Sequence, residues 1–321
     1  MNEIPGKLFR LLFVLFAVTG LTFLMVDLLP GDAAYEIAGP EATVEDVAAI
    51  RESLGLNRHP MVRYGDWLLH ALRGDLGTSP RTHEPVVSAI AARLPVTLEL
   101  MLISQILALM LAIPVGILSA YRAGSRLDQS LSSAAFALMS TPVFVMAIVL
   151  IYLFALKLKW FPATGYTPLS EGIWANARAF ILPAASIALM EWAPLMRMLR
   201  SDMIATLQED YILAAKAKGL PARTILLRHA LKPSSFTLIT VFGIQTGHLI
   251  GGTLIIESIF ALPGVGRLLV GSIHGRDVQM VQGCILFISI GYVTVNLLVD
   301  ACYALLDPRI RIHGPGSPFR K

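Results

Sequence analysis

Asp210-Tyr211-Ile212-Leu213-Ala214-Ala215-Lys216-Ala217-Lys218-Gly219-Leu220-Pro221 separates the fourth from the fifth of six long apolar stretches in this 321-residue chain. Residues 200–218 are good helix formers without Pro or Gly, and Gly219 can take the positive φ of a C-terminal cap. Pro221, two positions on, suits the first turn of a second helix, and Pro233 is expected to end that helix near 231. Asp202, Glu209 and Asp210 precede Lys216 and Lys218, the order that the helix dipole favours. Ala214, Ala215 and Ala217 leave a low profile beside the turn, with Tyr211 one turn back. Two readings of this surface stand side by side. One is a turn that inserts into a cleft of a partner protein; the other is an amphipathic hairpin lying on lipid headgroups.

The flanking stretches decide the fold class. Hydrophobic residues make up 55% of the chain and charged residues 15%, with a mean hydropathy of +0.67, so a soluble domain lacks the charge to cover its surface. The net charge of +4 is modest and does not imply nucleic acid. A helix needs about 20 apolar residues to cross the hydrocarbon, and candidates lie at 8–29, 94–120, 131–156, 180–199, 236–256 and 281–306. The first follows Lys7 and Arg10 as a signal peptide would, but its apolar run is too long and Asp27-Leu28-Leu29-Pro30 is a poor cleavage site, so it reads as an uncleaved anchor. Pro114, Pro142, Pro183 and Pro194 fall inside spans, where a bundle tolerates kinks. Cys284 and Cys302 both lie in the last stretch and read as free buried thiols.

Orientation follows Lys and Arg. With both termini cytoplasmic, the inside segments hold 15 basic residues against 5 in the two short outer loops. The long segment between the first two spans holds the other 6, outnumbered there by 9 acids, so it belongs outside. The expected organisation is a tip and first span over 1–29, an outer lobe over 30–93, a five-helix core over 94–306 with a cytoplasmic loop at about 200–233, and a cytoplasmic tail over 307–321. Within the lobe, Thr43-Val44-Glu45-Asp46 opens a helical pattern to Leu54 that Gly55 stops. The lobe reads either as the shaper of an entrance or as a structured spacer.

In the fifth span Gly243, Gly247 and Gly251 recur every four residues beside Gln245, Thr246 and His248. Such a glycine face lets two helix backbones approach closely, as static packing or as a sliding contact near a polar path. Ionisable residues within spans are candidates for function. Asp27, Glu99 and Glu257 sit near outer ends, where headgroup or loop contacts explain them; Asp300 reads as structural. Glu191 lies deeper, before Pro194, and either reads a cationic group of a substrate or makes an internal contact.

The 210–221 loop resembles the "EAA" loop of permease subunits of bacterial ABC importers in Ala214 and Ala215, Gly219 four positions on, then Leu231 and Pro233. Leu213 stands where the general pattern has Glu and His229 where it has Ile, and Pro233 falls one residue late. More narrowly, the chain resembles the dipeptide/oligopeptide permeases. The motifs that carry this are Pro30-Gly31-Asp32, Leu54-Gly55-Leu56, Arg73-Gly74-Asp75-Leu76-Gly77-Thr78-Ser79 and Arg93-Leu94-Pro95-Val96-Thr97-Leu98-Glu99-Leu100. Further along they are Glu257-Ser258-Ile259-Phe260, Leu262 to Leu268, Arg276-Asp277 and Asp307 to Arg311. The resemblance implies an all-α membrane protein of six transmembrane helices, type I ABC importer permease-like, in the bacterial inner membrane. It also implies the partners: a second homologous permease chain, two P-loop ATPases and an outer solute-binding protein. Asp210, Tyr211, Ala214, Ala215, Ala217, Lys218 and Gly219 would then couple to the ATPases.

The chain has no Gly-x-x-x-x-Gly-Lys-Ser/Thr sequence, so ATP is expected on partners and no cofactor on this chain. An intramembrane protease would need a dyad such as His248 with Ser104 or Ser289, without any recognised motif around it. A secondary transporter would leave the 210–221 loop an ordinary linker. Short peptides are the favoured solutes on resemblance, with nickel chelates, glutathione and other small solutes as alternatives.

Overall fold

The computed structural model describes residues 4–28, 33–39 and 41–306. From the N-terminus come α1 (Ile4–Asp27), α2 (Ala33–Ala38), α3 (Val44–Ser53), α4 (Pro60–Ala71), α5 (Val86–Tyr121), α6 (Arg126–Met139) and α7 (Val143–Leu150), which runs on as a π-helix over Ile151–Lys157. There follow α8 (Ile173–Thr206), α9 (Asp210–Ala217) and α10 (Ala222–Thr224), the last continued by a π-helix over Ile225–Ala230. The chain closes with α11 (Leu231–Gly252), α12 (Leu254–Ile259), α13 (Val265–His274) and α14 (Val278–Leu306). Among the described residues the one β feature is an isolated bridge between Thr78 and Pro85. The protein is an all-α membrane protein. The motifs Pro30-Gly31-Asp32 and Asp307 to Arg311, and the tail over 307–321, lie outside the described residues, as do the side chains of Asp27, Asp300 and Cys302.

Among the described residues three helices are long and apolar enough to cross a membrane: Val86–Tyr121, Ile173–Thr206 and Val278–Val299. Pro183 and Pro194 sit inside the second of them without breaking it. The stretch 131–156 departs from the expected single kinked span. Its two halves, Arg126–Met139 and Val143–Lys157, meet at 102° and count as a fourth span only if taken together. Pro142 drives Thr141 out of helical conformation and becomes the N-cap of α7. The hydroxyls of Ser140 and Thr141 turn back to the carbonyls of Phe136 and Ala137 at 2.9 and 3.0 Å, which satisfies the end that the break opens. The first and fifth expected spans are helical as α1 and α11. In α1 the described apolar run covers Phe13–Val26, and Lys232, Ser234, Ser235, Gln245 and His248 thin out the apolar content of α11.

The chain divides into two compact units. One comprises Met1–Glu99 with Gly251–Val293. Here the lobe is tied to α1 through Tyr64 of α4, whose hydroxyl lies 2.8 Å from Thr19 Oγ1 and donates to the Phe16 carbonyl at 3.1 Å, with Gly20 beneath its ring. The expected helix after Thr43 forms with a capping box: Thr43 Oγ1 accepts from the Asp46 N–H at 3.2 Å, and Asp46 accepts from the Thr43 backbone at 3.0 Å. The Thr43 hydroxyl and N–H hold the Asp46 carboxyl below the usual carboxylate range. Gly55 then ends the segment at φ +62°. Helix α5 starts eight residues before the expected 94, because Val86, Ala89 and Ile90 pack with Val265, Leu269, Met280, Val281 and Cys284.

Two buried acids join this unit. Asp277 caps α14, accepting from the Met280 N–H at 3.0 Å and from the Ser79 hydroxyl in the Arg73–Ser79 motif. Glu257 is 0% exposed, which removes the headgroup alternative and leaves the loop contact. Thr97 and Thr253 donate to its Oε1 at 2.8 and 2.9 Å, and the Arg267 N–H in the first turn of α13 donates to Oε2 at 2.9 Å. Thr97 in turn accepts from the Val265 N–H at 2.9 Å. A carboxylate at a helix N-terminus is favoured by the exposed amides there. The close fit needs glycine at 266, where a Cβ would lie 2.6 Å from Leu254 Cα.

The other unit comprises Leu100–Ile250 with Thr294–Lys321. Asp128, 2% exposed, gathers four elements: the Ser119 hydroxyl of α5, the Gly124 N–H at 2.9 Å, its own turn in α6, and Arg200 of α8 through Nε and Nη2, both at 2.6 Å. Around it Ala108, Ala112, Leu195, Met196, Leu199 and Met203 form the centre of an apolar core.

Replacing Glu257 with Leu strands two hydroxyls and an amide, each worth about 1–3 kcal/mol when buried without a partner. We expect Glu257→Leu to lower the thermal unfolding midpoint of the detergent-solubilised chain more than Glu257→Gln. Gly266→Ala should cost about 1–3 kcal/mol through the forced backbone shift, and wild-type midpoints for all three variants would refute the joint.

Candidate coupling surface and buried polar pair

The loop after α8 departs from the expected continuous helix over 200–218. The helix stops at Thr206, three non-helical residues follow, and Asp210 opens α9 after Glu209 at the N-cap. The end of α9 matches the glycine expectation in detail. Gly219 has φ +74°, its N–H bonds to the Lys216 carbonyl at 2.9 Å, and the Leu220 N–H bonds to the Ala215 carbonyl at 3.3 Å. These two bonds make a Schellman motif, the cap that requires a left-handed residue at its centre. No atom lies within 4 Å of where a Gly219 side chain would begin, so backbone conformation and not space demands the glycine.

Pro221 is the N-cap of α10, and the second helix does not stop at Pro233. It runs through a π-helical stretch directly into α11, with Pro233 in the first turn of the latter. A proline within a helix leaves the carbonyl four residues earlier without its N–H. That carbonyl belongs to His229, and the Tyr211 hydroxyl of α9 donates to it at 3.4 Å. Tyr211 thus closes the gap that Pro233 makes.

Ile212 and Ala215 point into the apolar core, at 0% and 7% exposed. Asp210, Tyr211, Ala214, Ala217, Lys218 and Gly219 all lie on the exposed side, joined by Leu213 and Leu227 at 53% and 45% exposed. Ala215 therefore leaves the predicted contact set and becomes an anchor of the loop. Leu213, which stands where the general pattern has Glu, joins the exposed surface in its place.

On the glycine face of α11 the close approach is at Gly243. A side chain on Gly243 would strike Val299 of α14, Gly247 is buried, and a Cβ on the exposed Gly251 would sit 3.7 Å from Ile288. Beside it Gln245 Nε2 donates to the Glu191 backbone carbonyl at 3.2 Å. This bond joins Gln245, a candidate path residue, to the backbone of Glu191, the candidate substrate contact. Gln245 Oε1 and Glu191 Oε2 are both buried and have no hydrogen-bond partner among the described residues, as is true of the neighbouring Trp192 Nε1. His248 is exposed. Among the described residues no group of His, Cys, Asp and Glu side chains is arranged to hold a metal.

The family described as "Binding-protein-dependent transport system inner membrane component" matches residues 112–312, and its N-terminal counterpart matches residues 6–101. A peptide transport system permease protein of Brucella abortus (strain 2308) is 42% identical over 93% of this chain and 95% of its own length. The glutathione transport system permease of Salmonella choleraesuis is 35% identical over 97% and 99%, and the dipeptide transport system permease of Alkalihalophilus pseudofirmus is 34% identical over 95% and 98%. Among solved structures, a chain of the inward-facing MetNI methionine ABC transporter has the same fold, with a TM-score of 0.55 at 16% identity over 68% of this chain and 96% of that one. The chain belongs to the family of binding-protein-dependent transport system inner membrane components, the multi-pass permease subunits of ABC importers.

Proposed function

We propose that this chain carries short peptides inward through the bacterial inner membrane. It would do so with a second permease chain, two P-loop ATPases and an outer binding protein, with both its termini in the cytoplasm. The observation that carries the coupling part is the exposed, glycine-capped end of α9, a turn whose free side carries small and apolar side chains together with Asp210, Lys216 and Lys218. Relatives named for dipeptides and glutathione support the solute class, since both are small molecules with peptide bonds, an amine and a carboxylate. The bias of Lys and Arg supports the orientation. ATP closure of the partner subunits would draw the α9 turns together and switch the bundle between inward- and outward-facing states. Glu191 and Gln245 would meet the peptide amine, because their two unpartnered oxygens call for a donor and an ammonium supplies three.

Purification of the tagged chain in mild detergent should bring down a second permease and ATP-binding subunits, and reconstituted vesicles should take up labelled dipeptide only with ATP and the binding protein. A lone chain at every detergent strength would overturn the assembly. Uptake of glutathione in preference to dipeptides would replace the solute.

Gly219→Val should leave ATP hydrolysis in the assembled complex while lowering transport about tenfold, the effect of roughly 1.4 kcal/mol against the left-handed cap. Gly219→Asn, which tolerates that conformation, should keep most transport. Full transport in the valine variant would remove the docking-turn role.

Glu191→Gln should weaken uptake of free dipeptides more than uptake of N-acetylated ones. Equal losses for the two substrates would mean that Glu191 does not read the amine.

A further inference from the structure

The outer lobe holds a cleft of about 330 Å³ for which the transport scheme gives no use. Its walls come from Phe23 of α1, Leu54 and Leu56 after α3, Trp67 of α4, Leu76, and Gln282 of α14. Trp67 Nε1 and Gln282 Nε2 are buried donors without a hydrogen-bond partner among the described residues, and Gln282 as a whole is 2% exposed. Buried donors in native proteins are nearly always met. The Trp67 ring is held in place, stacked on Tyr64 at 6.1 Å and 24°, and an indole N–H can only donate. What the cleft lacks is therefore an acceptor.

The acids in its wall do not supply one. Asp66 pairs with Arg58 at 2.7 Å, and Asp75 accepts from the Gly77 N–H at 2.9 Å. His70 Nδ1 donates to the Asp66 carbonyl at 2.8 Å. Arg58, Arg63 and Arg276 also line the cleft, beside Asp66 and Asp75. Its volume is at the lower end of small-molecule sites, and such sites combine apolar walls with a few placed polar groups.

We propose that this cleft binds a carboxylate carried on a small apolar body, with Trp67 and Gln282 donating to its oxygens. Charged acceptors make the stronger hydrogen bonds, so a carboxylate would be preferred to the matching amide. The C-terminus of a short peptide belongs to this class, but the site does not depend on peptides being the transported solute.

The test uses the full chain in lipid nanodiscs, labelled with 5-fluorotryptophan, with the Trp67 resonance assigned through Trp67→Phe. N-acetyl-leucine should shift that resonance saturably, and N-acetyl-leucine amide should bind at least about tenfold more weakly. Gln282→Leu should weaken the carboxylate by a similar factor while the Trp67 resonance stays sharp. An absent shift at millimolar carboxylate, or equal responses to acid and amide, would show that the cleft holds water alone and would overturn the proposal. Should the Gln282 variant fail to fold, the acid–amide contrast on the native chain decides by itself. No transport is read, so failure of the peptide reading would leave this result standing.

Discussion

Hydrocarbon offers a backbone amide or carbonyl nothing to bond except the chain itself, and most of the local structure here answers that constraint. Where the ladder is interrupted, a nearby side chain takes over. At the break before Pro142 the Ser140 and Thr141 hydroxyls return to carbonyls of α6, and at Pro233 the Tyr211 hydroxyl reaches the His229 carbonyl. At Pro233 the group served is the carbonyl four residues earlier, whereas before Pro142 the hydroxyls cover Phe136 and Ala137 at the end of α6. The bond at Pro233 also gives Tyr211, on the exposed side of the loop, a hydrogen-bonding role of its own.

Charge inside the fold follows a similar logic at the joints. Asp128, Glu257 and Asp277 are each nearly or wholly buried, and each accepts from donors on at least two separate segments. A buried carboxylate is costly when unpaired and directional when paired, so it fixes how segments meet more sharply than apolar contact does. In the unit around Asp128 this anchoring holds the end of α8 from which the α9 loop departs. Around Glu257 the neighbouring Gly264 and Gly266 are bare because the carboxylate and the Leu254 backbone occupy the space their side chains would need.

Much of this was legible in the sequence wherever the signal was local. The capping box at Thr43, the left-handed Gly219 and the helical cores of the apolar stretches depend on residues a few positions apart. The errors arose where distant segments decide. The contact of Glu257 with the following loop was legible, but its bond to Thr97, 160 positions away, was not. Pro233 looked like a terminator because the partner that repairs its gap sits in another helix. Pro142 erred in the other direction. Bundles tolerate prolines at Pro183 and Pro194, yet here the residue before proline left the helix and its hydroxyl was there to seal the end. Of the candidate residues, Gln245 and Glu191 were named separately in the sequence, and the hydrogen bond between their segments could not be foreseen from spacing.

The two arms of the α9 loop differ in their backbone. On the side of α8 it hangs from three non-helical residues, Leu207, Gln208 and Glu209. On the other side residues 222–250 are helical without a break, through the π-helical stretch and past Pro233. Between Gly219 and that continuous helix lie only Leu220 and Pro221. The turn at Gly219 thus leads into long unbroken helix on only one of its two sides, that of the helix bearing Gly243, Gln245 and Gly247.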